Sequence, residues 1–366
     1  MRVFHVSADR FVELDALPEA LPATGFLWVG SARREFEVRN AELQERLQRW
    51  EGGALVDLHV SDLLNNQLPS HFDYTSWYDL LVFRRLAAGA GSEKLFLDDE
   101  RGTLASARQA LSSIDTSPVG FALFDRVLIT VHPADCAVRD YFAQRLAGLT
   151  ASAETRGVAR MPASPADLML RMVNHMVDSY LELRRLLTRQ LGFLQRELLN
   201  PKSHFHDWPL LLDARNTLHQ LEDTCEDQRA AVQEWIDALD EWPEAAEKAA
   251  RREHELLRVR SRDVLEHVER VLSHVRRLEQ SAEAAVQLHF SALGHRTNDI
   301  MRTLTVLTAV FLPLNLITGF FGMNFDALPL IHTATGFWVA FWVMVAVGVG
   351  LAALFWRKRY LGATPR

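Results

Sequence analysis

Hydrophobic residues concentrate in two long stretches near the end of the chain. No charged residue occurs between Arg302 and Asp326, and a second uncharged stretch covers residues 333–356. About 20 apolar residues are enough to cross a bilayer as a helix. The pattern therefore predicts two transmembrane helices joined by a short extracytoplasmic loop. The predicted segments are 303–324 and 335–356 for the helices and 325–334 for the loop.

Polar and small side chains lie along one face of the first predicted transmembrane helix. Steps of three and four residues give this face, which we call the seam: Asn298, Met301, Thr305, Thr308, Leu312, Asn315, Gly319 and Gly322. Exposing polar groups to lipid is costly, so we expect the seam to face protein or water. A single helix cannot enclose water, whereas several copies around an axis can. The alternative is a helix–helix packing face, where small and polar residues are also common.

Shorter strand-like and helical patterns alternate through residues 1–161 and predict a cytoplasmic α/β domain. The predicted strands cover 2–7, 25–30, 55–60, 80–85, 94–98 and 119–131, and the predicted helices include 40–50 and 134–147. The sequence contains no P-loop, Rossmann glycine motif or zincin motif in this part. It also has no recognisable nucleophile–base pair or closed set of metal ligands, so an enzyme is not predicted.

A linker signal at 157–165 separates this domain from a helical remainder. Antiparallel cytoplasmic helices are predicted at 162–242, with Ser164 or Asp167 as the capping residue of the first. A stalk helix at 243–302 is predicted to continue directly into the first transmembrane helix. The second of the cytoplasmic helices is rich in acids, which indicates either a solvated face or a collar that concentrates cations.

The formal net charge of −7 gives no indication of a nucleic-acid partner. Cys136 and Cys225 are far apart and lack metal-ligand spacing, which fits a reducing cytoplasm. Residues 357–366 form a basic tail after the second span, whereas the loop between the spans has no Lys or Arg. The positive-inside rule therefore predicts a multi-pass protein of the inner (plasma) membrane with both termini in the cytoplasm.

A Gly-Met-Asn tripeptide ends the first predicted span, with a second span close behind it and a basic tail. The matching residues are Gly322, Met323, Asn324 and the following Phe325, together with 297–301 and 311–314. In this position and with these neighbours, the motif resembles that of the CorA family of divalent-cation transporters. The clear resemblance covers about 261–361. It implies an α+β membrane protein with an N-terminal α/β cytoplasmic domain, a long helical stalk and two C-terminal transmembrane helices, assembled as a funnel-shaped homopentamer.

The resemblance implies a channel that moves hydrated divalent cations, foremost Mg²⁺ and also Co²⁺ or Ni²⁺, under the membrane potential and without an organic cofactor. Mg²⁺ holds its water shell tightly and prefers octahedral oxygen coordination. Rings of neutral oxygen acceptors, one from each chain, can therefore hydrogen-bond the bound waters. The predicted site residues are Gly322, Met323 and Asn324 as the selectivity filter, Asn298, Thr305, Thr308, Asn315 and Gly319 as the pore lining, and Met301, Leu304 and Leu312 as hydrophobic gates.

The resemblance implies a second site within the stalk. Residues 262–267 resemble a family stretch with an acid at a cation-sensing subunit interface, and that acid is Asp263 here. Mg²⁺ bound between subunits is then expected to hold a closed state, and its loss is expected to free the subunits to move. The alternative for Asp263 is a plain surface carboxylate or a salt bridge to a neighbouring arginine.

The sequence leaves the transported ion open. Many CorA proteins carry an acid after the Met-Pro or Leu-Pro step of the outer loop, whereas Asp326 is the only acid in this loop. A zinc transporter of the same fold, with or without proton coupling, is therefore an alternative, although Phe325 after the motif favours the magnesium type. A membrane-anchored sensor or scaffold that conducts nothing is an alternative from another class.

Overall fold

The computed structural model describes six segments of the chain. These segments are 1–89, 103–151, 160–200, 208–242, 247–323 and 335–358. The chain divides into two compact units, Met1–Ala284 and Ala285–Arg366, which we call the first unit and the second unit.

A mixed β-sheet forms the centre of the first unit. The strands of the described segments are β1 (Arg2–Val6), β2 (Phe11–Leu14), β3 (Phe26–Ala32), β4 (His71–Tyr74), β5 (Asp79–Arg84), β6 (Ala87–Ala88), β7 (Ile114–Asp115), β8 (Pro118–Leu123) and β9 (Val127–His132). Within these segments the main sheet has the order β2-β1-β3-β9-β8-β5-β4, and β6 pairs with β7 separately. Only β3 and β9 run parallel; the other neighbouring strands of the main sheet are antiparallel.

The central strands are apolar on both faces because helices cover both sides of the sheet. Every residue of β8 and β9 is buried. The helices of the first unit, as far as the structure describes them, are α1 (Arg33–Trp50), α2 (Asp57–Leu64), α3 (Leu104–Ser112), α4 (Ala137–Ala151), α5 (Pro165–Asp178), α6 (Tyr180–Leu199) and α7 (Trp208–Glu241). Helix α1 buries Phe36, Leu43 and Leu47 in the sheet core, at the three-to-four spacing that places residues on one helix face.

One predicted strand is wrong, because residues 55–60 enter a helix instead. Leu55, His59 and Leu63 are buried four residues apart, whereas Val56 and Leu58 are exposed. That burial follows the period of a helix, and a short apolar run does not distinguish the two periods in advance. The structure also contains β2, β4, β6, β7 and α3, which the sequence pattern does not predict.

Other predicted boundaries shift in the structure. The predicted strand at 119–131 is two antiparallel strands, β8 and β9. The first cytoplasmic helix is divided at Ser179, whose single hydroxyl proton has two carbonyl acceptors within reach, Met176 (2.5 Å) and Leu86 (3.2 Å). Ser164 is confirmed as the cap of α5, since its hydroxyl accepts the backbone N–H of Asp167 at 3.3 Å. The predicted strand at 94–98 lies outside the described residues.

A continuous helix, α8 (Lys248–Phe321), forms the predicted stalk and most of the predicted first span, and α9 (Gly336–Arg357) forms the second. One stripe of α8 is buried in the first unit, and its residues follow at alternating spacings of four and three: Leu257, Ser261, Val264, Val268, Val271 and Val275. The stalk was predicted from residue 243 and the first span to 324. Residues 243–246 and 324 lie outside the described segments, and the described helix ends at Phe321.

Candidate functional site

Two described helices are long and apolar enough to cross a membrane, α8 through its C-terminal part and α9 along its whole length. A core helix of a soluble protein would bury most of such a stretch. Here 6% of the apolar window in α8 and 0% of that in α9 is buried within the chain. Large apolar side chains such as Leu316 and Trp342 are therefore exposed in the single chain, as expected of surfaces covered by lipid or by further chains.

Within the second unit, one face of α8 packs against α9. Val306 is the buried member of this face, at 4% exposure. Leu314 approaches α9 closely, since its methyl carbons lie 3.7 and 3.9 Å from the position that a β-carbon would take at Gly348. Half-buried residues continue the same face at Ala309, Val310, Pro313, Ile317 and Phe321.

The seam lies on the opposite side of α8. Successive helical residues turn by about 100°, which places the centre of the seam roughly 160° from the face that packs on α9. The described seam residues are all exposed: Asn298, Met301, Thr305, Thr308, Leu312, Asn315, Gly319 and Gly322. Leu304, predicted as a gate residue, is exposed on the same side of the helix. The seam is thus not a packing face for the second helix of its own chain.

The hydroxyl groups of the seam have a fixed hydrogen-bonding direction. Thr305 Oγ1 donates to the carbonyl oxygen of Met301 at 2.8 Å, and Thr308 Oγ1 donates to that of Leu304 at 2.9 Å. A hydroxyl has one proton and two acceptor lone pairs. Because each proton is used within the helix, each hydroxyl oxygen offers only acceptor capacity to the outside. Such a surface suits groups that bring their own protons, such as the waters bound to a cation.

The predicted filter begins where α8 ends. The backbone N–H of Gly322 donates to the carbonyl oxygen of Thr318 at 2.9 Å, and that of Met323 to Phe320 at 3.4 Å. Met323 is exposed. One turn earlier, the position that a β-carbon would take at Gly319 is open: among the described residues, and apart from its chain neighbours and the adjacent backbone of α8, no atom lies within 4 Å of it. Asn324, the last residue of the predicted filter, lies outside the described residues.

The first unit contains the predicted regulatory residue Asp263. Its side chain is 60% exposed, and its carboxylate lies 3.7 Å from His267 Nε2. His267 Nδ1 in turn lies 3.6 Å from the carboxylate of Asp178 on α5. Asp263 and Asp178 also line the same polar cavity, of about 480 Å³. Among the described ion pairs, the partner of Asp263 is therefore a histidine and not an arginine.

Sequence patterns could not identify Asp178 as a neighbour of Asp263. The two residues lie 85 positions apart and meet because α5 packs beside α8. The same packing brings Arg260 of α8 to the buried carboxylate of Asp167, which also pairs with Arg171 at 2.9 Å. Asp167 is 6% exposed, so these two arginines neutralise a carboxylate that has little contact with water.

Both cysteines are buried and free in the described structure. Burial is the main cause that raises the pKa of the Cys225 thiol to about 12. A thiol with such a pKa is almost entirely protonated at neutral pH and is a poor nucleophile.

The fold and the two exposed apolar helices define a membrane protein with an N-terminal α/β domain and a long helix that continues into the membrane-spanning part. A family model described as "CorA-like Mg2+ transporter protein" matches residues 102–359, which is more than half of the chain. The chain therefore belongs to the CorA-like Mg²⁺ transporter family. This is a family of transporters and not of enzymes.

Individual relatives agree with this assignment. The chain is 29% identical to the cobalt/magnesium transport protein CorA of Thermotoga maritima over 100 residues, which is 27% of this chain and 28% of that protein. It is 23% identical to the magnesium transport protein CorA of Haemophilus influenzae over 247 residues, or 68% and 73% of the two chains. The alignment with the Thermotoga protein thus spans less than a third of its length.

A solved structure supports the fold over the whole chain. The complete structure of the CorA magnesium transporter from Methanocaldococcus jannaschii matches with a TM-score of 0.69 and covers 97% of both chains. The sequence identity is 17%, so this likeness concerns the fold alone. It confirms the predicted architecture of α/β domain, long helix and two C-terminal apolar helices.

Proposed function

We propose that this protein is a channel that moves hydrated divalent cations, foremost Mg²⁺, through a path lined by the seam of several identical chains. The observation that carries the proposal is the direction of the seam. Its polar groups lie on an otherwise apolar helix, and they point away from the one helix of the same chain that packs beside it. Lipid is a costly environment for them. A ring of identical chains gives them water instead.

The chemistry of the seam fits a cation that keeps its water shell. The waters bound to Mg²⁺ donate hydrogen bonds and therefore need acceptors. The hydroxyl oxygens of Thr305 and Thr308 offer acceptor capacity only, because their protons are donated within the helix. The amide oxygen of Asn315 is a further acceptor at an exposed position of the same face. A ring of carboxylates would hold a divalent ion more firmly, and the seam contains none.

The assembly that fits this chemistry is a homopentamer in the bilayer. The family resemblance supplies the number of subunits, and the exposed seam supplies the need for more than one. Met301, Leu304 and Leu312 alternate with the polar seam positions and are exposed apolar side chains. Rings of these residues would close the path by excluding water. Gly322, Met323 and Asn324 would form the filter at the outer end.

The membrane potential would drive the ion inward. Moving one elementary charge across 100 mV is worth about 2.3 kcal/mol, and a divalent ion gains about twice that. Arg357 and Lys358 follow the second span, which supports an inner (plasma) membrane location with both termini in the cytoplasm. The first unit would then meet the ion after passage, and Asp263 would bind Mg²⁺ there and hold the closed state.

The test is Mg²⁺ uptake into liposomes that contain the purified protein. We expect uptake down a concentration gradient, faster with an inside-negative potential, and strongly reduced in Asn324→Ala. If the protein moves no Mg²⁺ and Asn324→Ala makes no difference, the proposal fails. In that case the protein is a non-conducting sensor or scaffold, and deletion of its gene would leave the metal content of the cell unchanged.

The same liposomes distinguish the zinc alternative. Uptake of Zn²⁺ that requires a pH gradient, with no uptake of Mg²⁺, would assign the chain to a zinc transporter of the same fold. Uptake of Mg²⁺ that Co²⁺ or Ni²⁺ competes for, without dependence on a pH gradient, would support the magnesium channel.

A further inference from the structure

Three metal-ligating side chains that belong neither to the seam nor to the surroundings of Asp263 meet on two packed helices of the first unit. His219 and Glu222 lie on α7, and Glu279 lies on α8. One ligand atom from each lies within 4.8 Å of the other two. His219 and Glu222 are three residues apart, so their side chains share one face of α7. Glu279 faces them from the neighbouring helix.

We propose that His219, Glu222 and Glu279 form a binding site for a first-row divalent transition-metal ion such as Zn²⁺ or Co²⁺, bridging α7 and α8. Helical bundles hold metal ions with a glutamate and a histidine three residues apart, in the order Glu-x-x-His, together with glutamates from facing helices. Here α7 carries the same pair in the reverse order, and Glu279 is the glutamate of the facing helix. Zn²⁺ bonds of about 2.1 Å in a tetrahedron require ligand atoms roughly 3.4 Å apart. Small changes of side-chain rotamer would bring the three ligand atoms, now within 4.8 Å of one another, to this separation.

The imidazole determines which metal the site would select. Mg²⁺ takes oxygen ligands and is bound through carboxylates and water, so His219 adds nothing to its binding. Imidazole nitrogen suits Zn²⁺, Co²⁺ and Ni²⁺, and these ions also accept carboxylate oxygen. His219 is exposed, so a fourth position of the ion remains open to water. The site thus prefers different metal ions from the proposed path through the membrane, which offers oxygen ligands only.

The charges around the three ligands favour a cation. The carboxyl groups of Glu222 and Glu279 are in hydrogen-bonding contact, so two carboxylates already meet at the site. Arg276 bonds to Oε1 of Glu222 at 2.6 Å and also pairs with Glu226, so its charge is shared between two carboxylates. On the next turn of α8, Glu283 adds another negative charge, opposed by Arg215 at 3.7 Å. Four carboxylates therefore face two arginines.

The experiment measures Co²⁺ bound to the purified full-length protein by equilibrium dialysis, with an excess of Mg²⁺ to occupy oxygen-only sites. We expect the wild-type chain to retain one Co²⁺. His219→Gln and Glu279→Gln should each weaken this binding at least about tenfold, because even the loss of a residue that only orients a ligand costs 10–100-fold. The readout needs no ion flux, so its failure and failure of the proposed channel are distinguishable.

Two control substitutions remove a carboxylate and an imidazole from other positions on α8. Glu283→Gln removes one carboxylate a turn away on α8, and His295→Gln removes one exposed histidine from the same helix. His295→Gln should retain Co²⁺ like the wild type, and Glu283→Gln should lose much less affinity than Glu279→Gln, because it removes a nearby charge and not a ligand. Circular dichroism should show all four variants folded. The proposal is overturned if the wild type retains no Co²⁺ beside Mg²⁺, if His219→Gln binds normally, or if Glu283→Gln loses as much affinity as Glu279→Gln.

Discussion

Leu314 of α8 packs against Gly348 of α9, with its methyl carbons 3.7 and 3.9 Å from the position that a β-carbon would take there. This contact fixes which face of α8 the second helix covers. The seam, with Thr308 and Asn315, is on the other side of α8 and stays exposed. Polar side chains on an apolar helix are stable only beside water or other polar groups. The contact between Leu314 and Gly348 therefore supports a path that only further chains can complete.

A large side chain at Gly348 should separate the two helices. We expect Gly348→Leu to lower stability by about 1–3 kcal/mol, the usual cost of inserting extra carbons into a packed contact. Thermal unfolding in detergent measures the change. Gly350→Leu is the matched control. Among the described residues, and apart from Gly350, its two chain neighbours and the adjacent backbone of α9, no atom lies within 4 Å of the position that a β-carbon would take at Gly350. Equal destabilisation by both substitutions would contradict the described packing.

The hydroxyl of Thr308 should be required for fast ion passage. Thr308→Val has nearly the same shape and removes one acceptor from each chain. A hydrogen bond is worth about 0.5–1.5 kcal/mol, so its loss from every chain should slow Mg²⁺ uptake into liposomes about tenfold or more.

Thr303→Val is the control for this substitution. Thr303 makes the same type of hydrogen bond, to the carbonyl oxygen of Asp299 at 2.9 Å, but it lies about 140° around the helix from Thr308. Its substitution should leave uptake near the wild-type rate. An equal loss in both variants would indicate a general effect on the helix and not a role of the seam.

Asp263 should determine how strongly internal Mg²⁺ inhibits uptake. Among the described ion pairs its exposed carboxylate has a distant histidine partner, at 3.7 Å, which leaves it accessible to an ion. In Asp263→Ala, the internal Mg²⁺ concentration for half-maximal inhibition should rise about tenfold. This change corresponds to a loss of about 1.4 kcal/mol of binding free energy. Glu266→Gln, an exposed acid in the same stretch, should behave as wild type. Unchanged inhibition in Asp263→Ala would rule out the regulatory role.

The first unit should lose stability as pH falls below neutral. His274 is 8% exposed and lies 2.7 Å from the hydroxyl of Tyr180; burial, then Arg184 and Arg277, lower its pKa from 6.5 to about 4. Between these values the unfolded chain binds a proton that the folded chain does not. Keeping His274 neutral in the folded chain therefore leaves the free energy of unfolding unchanged above pH 6.5 and lowers it by about 2 kcal/mol near pH 4, allowing for partial screening by solvent.

His274→Gln should reduce this loss, because glutamine keeps a hydrogen-bonding side chain and does not titrate. Thermal unfolding at pH 7.5 and at pH 5 measures the effect. Burial lowers the pKa values of His132 and His175 as well, so part of the pH dependence should remain in the variant. A variant with the full wild-type pH dependence would contradict the assignment.

The seam could be predicted from sequence because its information is local. A helix repeats every 3.6 residues, so the spacing from Asn298 to Gly322 alone places these side chains on one face. The long helix and the apolar spans were predictable for the same reason. The type of element around His59 was not predictable, since a run of so few residues fits a strand and a helix equally well. Asn324 lies outside the described residues, and its role in the filter stays a prediction.

Contacts between distant elements could not be predicted. Asp178 and Asp263 approach each other only through the packing of α5 and α8. His219 and Glu222 meet Glu279 in the same way, across more than fifty residues of chain. Along the sequence, the spacing of the residues in each set does not differ from that of polar residues on an ordinary solvated helix. Tertiary structure is what turns such residues into candidate sites.

The most direct test of the central claim is the reaction of single cysteines with a charged, water-soluble methanethiosulfonate reagent. The native Cys136 and Cys225 are buried and can be replaced by serine. Thr308→Cys on the seam should react and lose Mg²⁺ uptake, whereas Val310→Cys, about 160° around the helix and half-buried, should not react. Reaction at Val310→Cys with none at Thr308→Cys would contradict a water-filled path along the seam.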